Sequence, residues 1–131
     1  MIRVLCVDDN DNNLFMLRAI LKRAGFEALG AEDAESGIEL ARREHPDAIL
    51  MDLMLPGIDG LEATRRLKAA PETRDIPIII LSAHEESEKG AEARAAGCDA
   101  YARKPLDVAD LITKISRLTA TADAADKAVA E

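Results

Sequence analysis

Five polar residues follow or end predicted strands, and their side chains are chemically suited to a single site. Three are carboxylates, Asp8, Asp9 and Asp52, and the others are Ser82 and Lys104. If all five meet, each like-charge contact at ~4 Å costs about 4 kcal/mol at an effective dielectric constant of roughly 20. Such a pocket either raises the pKa of a carboxylate or holds a divalent cation. Oxygen ligands without histidine or cysteine favour Mg²⁺.

A metal-bound aspartate beside a lysine and a serine suits phosphoryl transfer. A carboxylate can attack a phosphoryl group and form an acyl phosphate. Mg²⁺ and Lys104 would neutralise the charge on the equatorial phosphoryl oxygens, which is most of what this reaction asks of a protein. The Ser82 hydroxyl would donate a hydrogen bond to a third oxygen. The residue types and their placement therefore predict a phosphoaspartate site.

Short apolar segments alternate with helical patterns along the chain. The apolar segments predict five strands, at residues 2–7, 27–31, 48–51, 77–81 and 99–103. The helical patterns are at residues 12–24, 34–44, 60–69, 85–96 and 108–118. This alternation predicts a (βα)5 α/β fold, a doubly wound parallel sheet covered on both faces. Ligands bind such sheets at the carboxyl ends of the strands, where the five polar residues lie.

Acidic residues precede three of the predicted helices. Asp33 and Asp107 can each cap a helix by accepting main-chain N–H bonds. Asp59 and Glu62 form a D-x-x-E pattern, which predicts a capping box at the start of the third helix.

The helix predicted at 85–96 differs from the others because it has no large apolar side chain. It carries alanines and Gly90 instead. Few large apolar contacts mean low local stability, and switching elements come from that end of the stability range. The alternative is that an alanine-rich helix is simply stable there.

Composition restricts the class of protein. A chain of 131 residues that is 48% hydrophobic, with a net charge of −8, suits one folded domain. Dispersed basic residues and only three aromatic residues argue against nucleic-acid binding. No apolar run approaches the ~20 residues that cross a bilayer, and the first residues do not form a signal peptide. We expect a cytoplasmic protein without membrane contact, in which Cys6 and Cys98 are reduced and buried.

Four motifs resemble those of the receiver domain of bacterial response regulators. They are Val-Asp-Asp-Asn at 7–10, Met-Asp-Leu-Met-Leu-Pro-Gly-Ile-Asp-Gly at 51–60, Leu-Ser-Ala at 81–83 and Tyr-Ala-Arg-Lys-Pro at 101–105. Each motif is weak alone, but their order and strand-end positions make the set specific. The resemblance implies a flavodoxin-like sheet with strand order 2-1-3-4-5. We expect a receiver domain of the stand-alone type at residues 1–118 and an alanine-rich tail or helix extension at 119–131.

The resemblance also implies roles for the acidic residues. Asp52 would be the phosphoacceptor. Mg²⁺, for which Mn²⁺ can substitute, would bind the carboxylates of Asp8, Asp9 and Asp52. The backbone carbonyl of Met54 would complete the metal ligands that the protein supplies.

Residues of the last two motifs are implied to bind the phosphoryl group and respond to it. Ser82, the backbone of Ala83 and Lys104 would contact the phosphoryl oxygens. Tyr101 would act with Ser82 as the aromatic partner of a switch. The peptide bond between Lys104 and Pro105 matches the cis peptide of the family.

These roles predict a phosphorylation-activated regulator of a two-component system or phosphorelay. The phosphoryl donor would be a histidine kinase or a histidine phosphotransfer domain. The chain would be a signalling switch and not an enzyme, because it would catalyse only its own phosphorylation and dephosphorylation. A downstream protein would bind the face made by the fourth helix, fifth strand and fifth helix. We expect a monomer or a phosphorylation-dependent dimer.

Two positions are expected to set the lifetime of the phosphoryl group. Met54 lies two residues after Asp52, and His84 lies two residues after Ser82. An apolar Met54 cannot orient an attacking water, so we expect slow self-hydrolysis. His84 is the one nearby side chain that would assist it.

Three other interpretations compete with the switch. A haloacid-dehalogenase-like phosphatase also uses an aspartate nucleophile, but it needs a second aspartate where Met54 stands, and a cap-domain insertion. A flavodoxin-like cofactor module needs a phosphate loop rich in glycine, serine or threonine after the first strand. Residues 8–11 are instead Asp-Asp-Asn-Asp. The chain would also fit a receiver taken from a larger regulator or hybrid kinase.

Overall fold

Five strands and five helices alternate in the computed structural model, which describes the main chain of residues 1–130 and the side chains of residues 1–120. The strands are β1 (Arg3–Val7), β2 (Glu27–Ala31), β3 (Ala48–Asp52), β4 (Ile78–Ser82) and β5 (Ala100–Arg103). The helices are α1 (Asp11–Arg23), α2 (Ala34–Glu44), α3 (Gly60–Ala69), α4 (Glu86–Ala96) and α5 (Val108–Ala130). Most bounds lie within two residues of those predicted.

The strands form one parallel sheet in the order β2-β1-β3-β4-β5. The predicted fold class and strand order are therefore confirmed. The chain winds outward in both directions from β1, so β1 and β3 are neighbours although β2 lies between them in sequence. This reversal is the topological switch point, where open α/β sheets bind their ligands. Asp8 follows β1 and Asp52 ends β3, which places both residues at that point.

The sheet divides the apolar core into two layers. Alternate residues of β1, such as Leu5 and Cys6, point to opposite faces and belong to different layers. One layer is covered by α2, α3 and α4, and the other by α1 and α5. β3 and β4 are buried along their whole length, as expected for central parallel strands.

The predicted capping box at the start of α3 is half correct. The Asp59 carboxylate accepts the Glu62 N–H at 2.9 Å and so caps the helix. The Glu62 carboxylate does not return to the cap; it pairs with Arg65 at 3.3 Å and with Arg66 at 3.1 Å. Cations three and four residues further along the same face are better partners for a carboxylate than a neutral N–H.

The last two helices differ in how they are anchored. α4 buries only Gly90, Ala93 and Ala96. α5 is capped by Asp107 and runs past residue 118, where its predicted apolar stripe ends. The residues beyond 118 are mostly good helix formers. The predicted tail at 119–131 falls largely outside the described side chains, so the domain boundary at 118 stays a prediction. No helix in the described part of the chain is both long and apolar enough to cross a bilayer.

Candidate functional site

The carboxyl edge of the sheet brings the predicted site residues together. Asp8 directly follows β1, Asp52 is the last residue of β3, Ser82 ends β4 and Lys104 directly follows β5. The Lys104 Nζ atom lies 3.2 Å from Asp52 Oδ2 and 3.8 Å from Asp8 Oδ2. One lysine on an outer strand therefore bridges two carboxylates from the centre of the sheet.

Three carboxylates form a compact oxygen cluster at this edge. One oxygen from each of Asp8, Asp9 and Asp52 lies within 4.8 Å of the others. Asp8 is buried, with 1% of its surface exposed, whereas Asp9 is exposed. Asp8 Oδ1 accepts the Asn10 N–H at 2.9 Å. This bond and the direction of β1 hold the Asp8 side chain inward.

The surroundings of Asp8 Oδ2 test whether this cluster can hold a metal ion. Among the described side chains it is the one buried nitrogen or oxygen atom without a hydrogen-bond partner. A buried carboxylate oxygen without a partner is costly, unless a cation compensates its charge. Carboxylate oxygens without histidine or cysteine are the donor set that Mg²⁺ prefers. The three carboxylates therefore fit Mg²⁺, and the Met54 backbone carbonyl stays a predicted fourth ligand.

Opposing effects act on the Asp52 carboxyl group. Burial raises the pKa of Asp52 above its usual range, and the nearby Asp8 charge adds to the increase. The Lys104 ammonium and the Met54 N–H, which lies 3.4 Å from Asp52 Oδ1, lower this pKa. A bound cation would favour the charged carboxylate.

Hydrogen bonds connect the predicted switch residues through the loop after β4. The Ser82 hydroxyl oxygen accepts the His84 N–H at 3.0 Å. The Tyr101 hydroxyl donates to the His84 carbonyl at 2.7 Å. Tyr101 itself is only 6% exposed, so its ring lies inside the fold. Arg103 also reaches this loop through an ion pair with Glu85 at 3.1 Å.

The remaining predicted positions are exposed or partly exposed. Met54 is 66% exposed, and Ala83 is exposed in the loop after β4. The His84 ring is directed along α4, with Nδ1 3.6 Å from a Glu88 carboxylate oxygen. The Lys104–Pro105 peptide bond is cis.

One residue that contacts the site was not identified from the sequence. Gly60 begins α3 against the main chain of Asp52 and Leu53. In the sequence, Asp59 and Gly60 end the motif at 51–60 and precede or begin the third helix, but no role at the site was predicted for Gly60. The sequence does contain an indication of this contact, because a glycine stands directly after a helix cap at a position where no turn requires glycine.

Comparison with known proteins finds a matching family and similar sequences. The family model described as response regulator receiver domain matches residues 4–116. The chain is 37% identical to protein PilH of Pseudomonas aeruginosa, over 92% of this chain and 99% of PilH. It is 38% identical to the polar-differentiation response regulator DivK of Brucella ovis, over 86% of this chain and 91% of DivK.

One solved structure with a similar fold contains a metal ion. The receiver domain of the sensor histidine kinase PA1611 from Pseudomonas aeruginosa holds a magnesium ion in its active-site cleft. It superposes on this chain with a TM-score of 0.83 at 33% identity, over 90% of this chain and 97% of the other. With its sheet order, its acidic cluster and a family match over most of its length, the chain belongs to the response regulator receiver domains.

Proposed function

We propose that the chain is a phosphorylation-activated signalling switch of a two-component system or phosphorelay, with Asp52 as the phosphoacceptor. One observation carries this proposal: the Lys104 ammonium lies 3.2 Å from Asp52 Oδ2 and 3.8 Å from the buried Asp8 Oδ2, which has no hydrogen-bond partner. This arrangement combines a nucleophilic carboxylate, a cation for the phosphoryl oxygens and an oxygen cluster suited to a metal. The family match favours this proposal over the phosphatase and flavodoxin-like alternatives.

The proposed chemistry is transfer of a phosphoryl group from a phosphohistidine to Asp52. A carboxylate oxygen of Asp52 attacks phosphorus, the new O–P bond forms as the P–N bond breaks, and the imidazole leaves. Lys104 lies where it can pair with a phosphoryl oxygen as its contact with Asp52 is replaced. When bound, Mg²⁺ supplies positive charge for the carboxylates and the phosphoryl oxygens. Asp8, Asp9, Asp52 and the Met54 carbonyl would hold the ion.

The switch would follow from rotation of the Ser82 side chain. Its oxygen accepts the His84 N–H, so turning the hydroxyl toward a phosphoryl oxygen disturbs the loop that Tyr101 also holds. α4 begins two residues after His84 and buries only small side chains, which lowers the cost of moving it. Phosphorylation then shifts the population between two arrangements of the face made by α4, β5 and α5. A downstream protein would bind that face.

Partners, assembly and location are part of the same proposal. A histidine kinase or histidine phosphotransfer domain would supply the phosphoryl group, and Phe15 on α1 offers it a contact because this ring is 77% exposed. The chain would act as a stand-alone cytoplasmic regulator, without enzymatic turnover of another substrate. The likeness to PilH and DivK over 99% and 91% of their lengths supports the stand-alone assignment. It would be a monomer or a phosphorylation-dependent dimer.

The direct test is intact-mass analysis after incubation with acetyl phosphate, with Mg²⁺ and with EDTA. We expect one phosphoryl adduct that requires Mg²⁺ and is absent in Asp52→Ala. Asp59→Asn is the matched control, because Asp59 is an acidic residue of the same loop that caps α3. A phosphorylated histidine phosphotransfer protein provides a second donor. The proposal is wrong if wild type accepts a phosphoryl group from neither donor.

A further inference from the structure

Gly60 lies where no side chain can be accommodated. It is buried at the start of α3, and its N–H donates to the Leu53 carbonyl at 2.9 Å. A Cβ atom at this position would overlap the Asp52 carbonyl oxygen and lie 2.9 Å from Leu53 Cα. Both neighbours are main chain, which cannot rotate away as a side chain can. The Gly60 φ angle is not in the left-handed region, so space and not backbone conformation requires glycine here.

The contact matters because the hydrogen bond of the Gly60 N–H closes the loop between β3 and α3. The loop from Leu53 to Asp59 begins where the Leu53 N–H bonds to the Leu81 carbonyl at 2.9 Å. It ends where Gly60 bonds back to the Leu53 carbonyl. The loop is thus closed on a single residue next to Asp52. Its second residue is Met54, whose N–H faces Asp52 Oδ1 and whose carbonyl is the proposed metal ligand.

We propose that Gly60 is a positioning residue for the metal and phosphoryl site, an inference that rests on the proposed function. By letting α3 begin against the main chain of Asp52, it fixes the Asp52 carboxylate and the Met54 carbonyl relative to each other. Thr64 supports it from the next turn of α3. This buried side chain donates from its hydroxyl to the Gly60 carbonyl at 2.7 Å.

The first test compares Gly60→Ala with Gly30→Ala. A Cβ at position 30 would meet only side-chain atoms, of Arg18 and Leu14, at 3.3 Å. Titration calorimetry measures the Mg²⁺ dissociation constant, and thermal unfolding in EDTA measures stability. We expect Gly60→Ala to bind Mg²⁺ about tenfold more weakly than wild type, the loss typical when residues behind metal ligands change. Gly30→Ala should keep the wild-type affinity.

A second pair of variants serves if Gly60→Ala does not fold. Thr64→Val and Thr73→Val each remove a buried hydroxyl that donates to a main-chain carbonyl. Only Thr64 reaches Gly60; Thr73 donates to Leu67 at 2.6 Å. We expect both variants to lose stability and only Thr64→Val to lose Mg²⁺ affinity.

The outcomes separate this inference from the proposed function. A folded Gly60→Ala with wild-type Mg²⁺ affinity overturns the role of Gly60 alone. If Gly60→Ala does not fold, equal Mg²⁺ affinities in Thr64→Val and Thr73→Val overturn it. Wild type that binds no Mg²⁺ and accepts no phosphoryl group would remove the proposed function, and the inference with it.

Discussion

The Tyr101 hydroxyl is connected to the Ser82 hydroxyl through a single residue. Tyr101 donates to the His84 carbonyl at 2.7 Å, and the His84 N–H donates to Ser82 Oγ at 3.0 Å. One peptide segment therefore joins the buried ring on β5 to the serine that ends β4. A change at either hydroxyl must alter the conformation of this loop or break one of the two bonds.

Removing the Tyr101 hydroxyl should make this loop less stable without creating a cavity in the core. Tyr101→Phe keeps the buried ring and leaves the His84 carbonyl without its donor. We expect unfolding free energy to fall by about 0.5–1.5 kcal/mol in urea denaturation. Amide exchange in residues 83–85 should become faster. Thr113→Val is the control, because its exposed hydroxyl also donates to a carbonyl and its loss should cost within about 0.5 kcal/mol. Equal stability and exchange in Tyr101→Phe and wild type would contradict this prediction.

We expect the Asp8 carboxylate to lower the stability of the metal-free protein and to raise the stability of the Mg²⁺-bound protein. Its buried Oδ2 atom has no hydrogen-bond partner and lies in the cluster with Asp9 and Asp52. Asp8→Asn removes one negative charge from the cluster. We therefore expect a higher melting temperature than wild type in EDTA. In wild type, Mg²⁺ at about ten times its dissociation constant should add about 1.4 kcal/mol of stability. The variant should gain little.

The control for this metal dependence is Asp11→Asn. Asp11 is an acidic residue in the first turn of α1, close in sequence to the cluster but not a member of it. Its variant should respond to Mg²⁺ as wild type does. An Asp8→Asn protein that is less stable in EDTA, or that is stabilised by Mg²⁺ as strongly as wild type, would show that Asp8 is not a metal ligand of this kind.

Met54 should slow hydrolysis of the phosphorylated protein. The side chain is 66% exposed, two residues after the proposed phosphoacceptor, and cannot bond to an attacking water. Met54→Asn places an amide there, and we expect several-fold faster loss of the phosphoryl group in a time course by intact mass. Met16→Asn is the control, since Met16 is an exposed methionine on α1. An unchanged rate in Met54→Asn would refute the role of this position.

The His84 ring has an acidic neighbour on α4. Its ring lies beside Glu88 on the first turns of α4, with 3.6 Å between Nδ1 and the carboxylate. The position of His84 in the sequence does not determine the orientation of its ring, because that orientation depends on where α4 begins. The assisting role of His84 stays a prediction, and the lifetime of His84→Ala measured beside that of Met54→Asn tests it.

The convergence of the site residues could be predicted because it depends on only a few features of the sequence. In a parallel sheet every carboxyl end lies at one edge, so Asp8, Asp52, Ser82 and Lys104 converge once their strands are identified. The apolar runs of β1, β3 and β4 are strong enough to identify those strands. Helix caps such as Asp33 could be predicted for a similar reason, because each depends on only four consecutive residues.

Features that depend on tertiary contacts could not be predicted in this way. Glu62 fits a capping box by sequence, but two arginines compete for its carboxylate. The inward position of Tyr101 and its bond to His84 depend on the loop that precedes α4. The need for glycine at position 60 comes from the close approach of α3 to β3, which a glycine after a helix cap can indicate but does not explain.

Cys6 should make the protein sensitive to alkaline pH. This thiol is fully buried in β1, and burial raises its pKa from 9.0 to about 12. The unfolded chain releases the proton above pH 9 while the folded chain keeps it. The contribution to stability is therefore complete below pH 9 and falls by up to about 1.4 kcal/mol per pH unit until pH 12.

Urea denaturation from pH 8 to 11 tests this prediction. The unfolding free energy should decline less steeply with pH in Cys6→Ala than in wild type or in Cys98→Ala, where the removed thiol is only half-buried. Equally steep declines in all three proteins would mean that Cys6 does not set the alkaline limit.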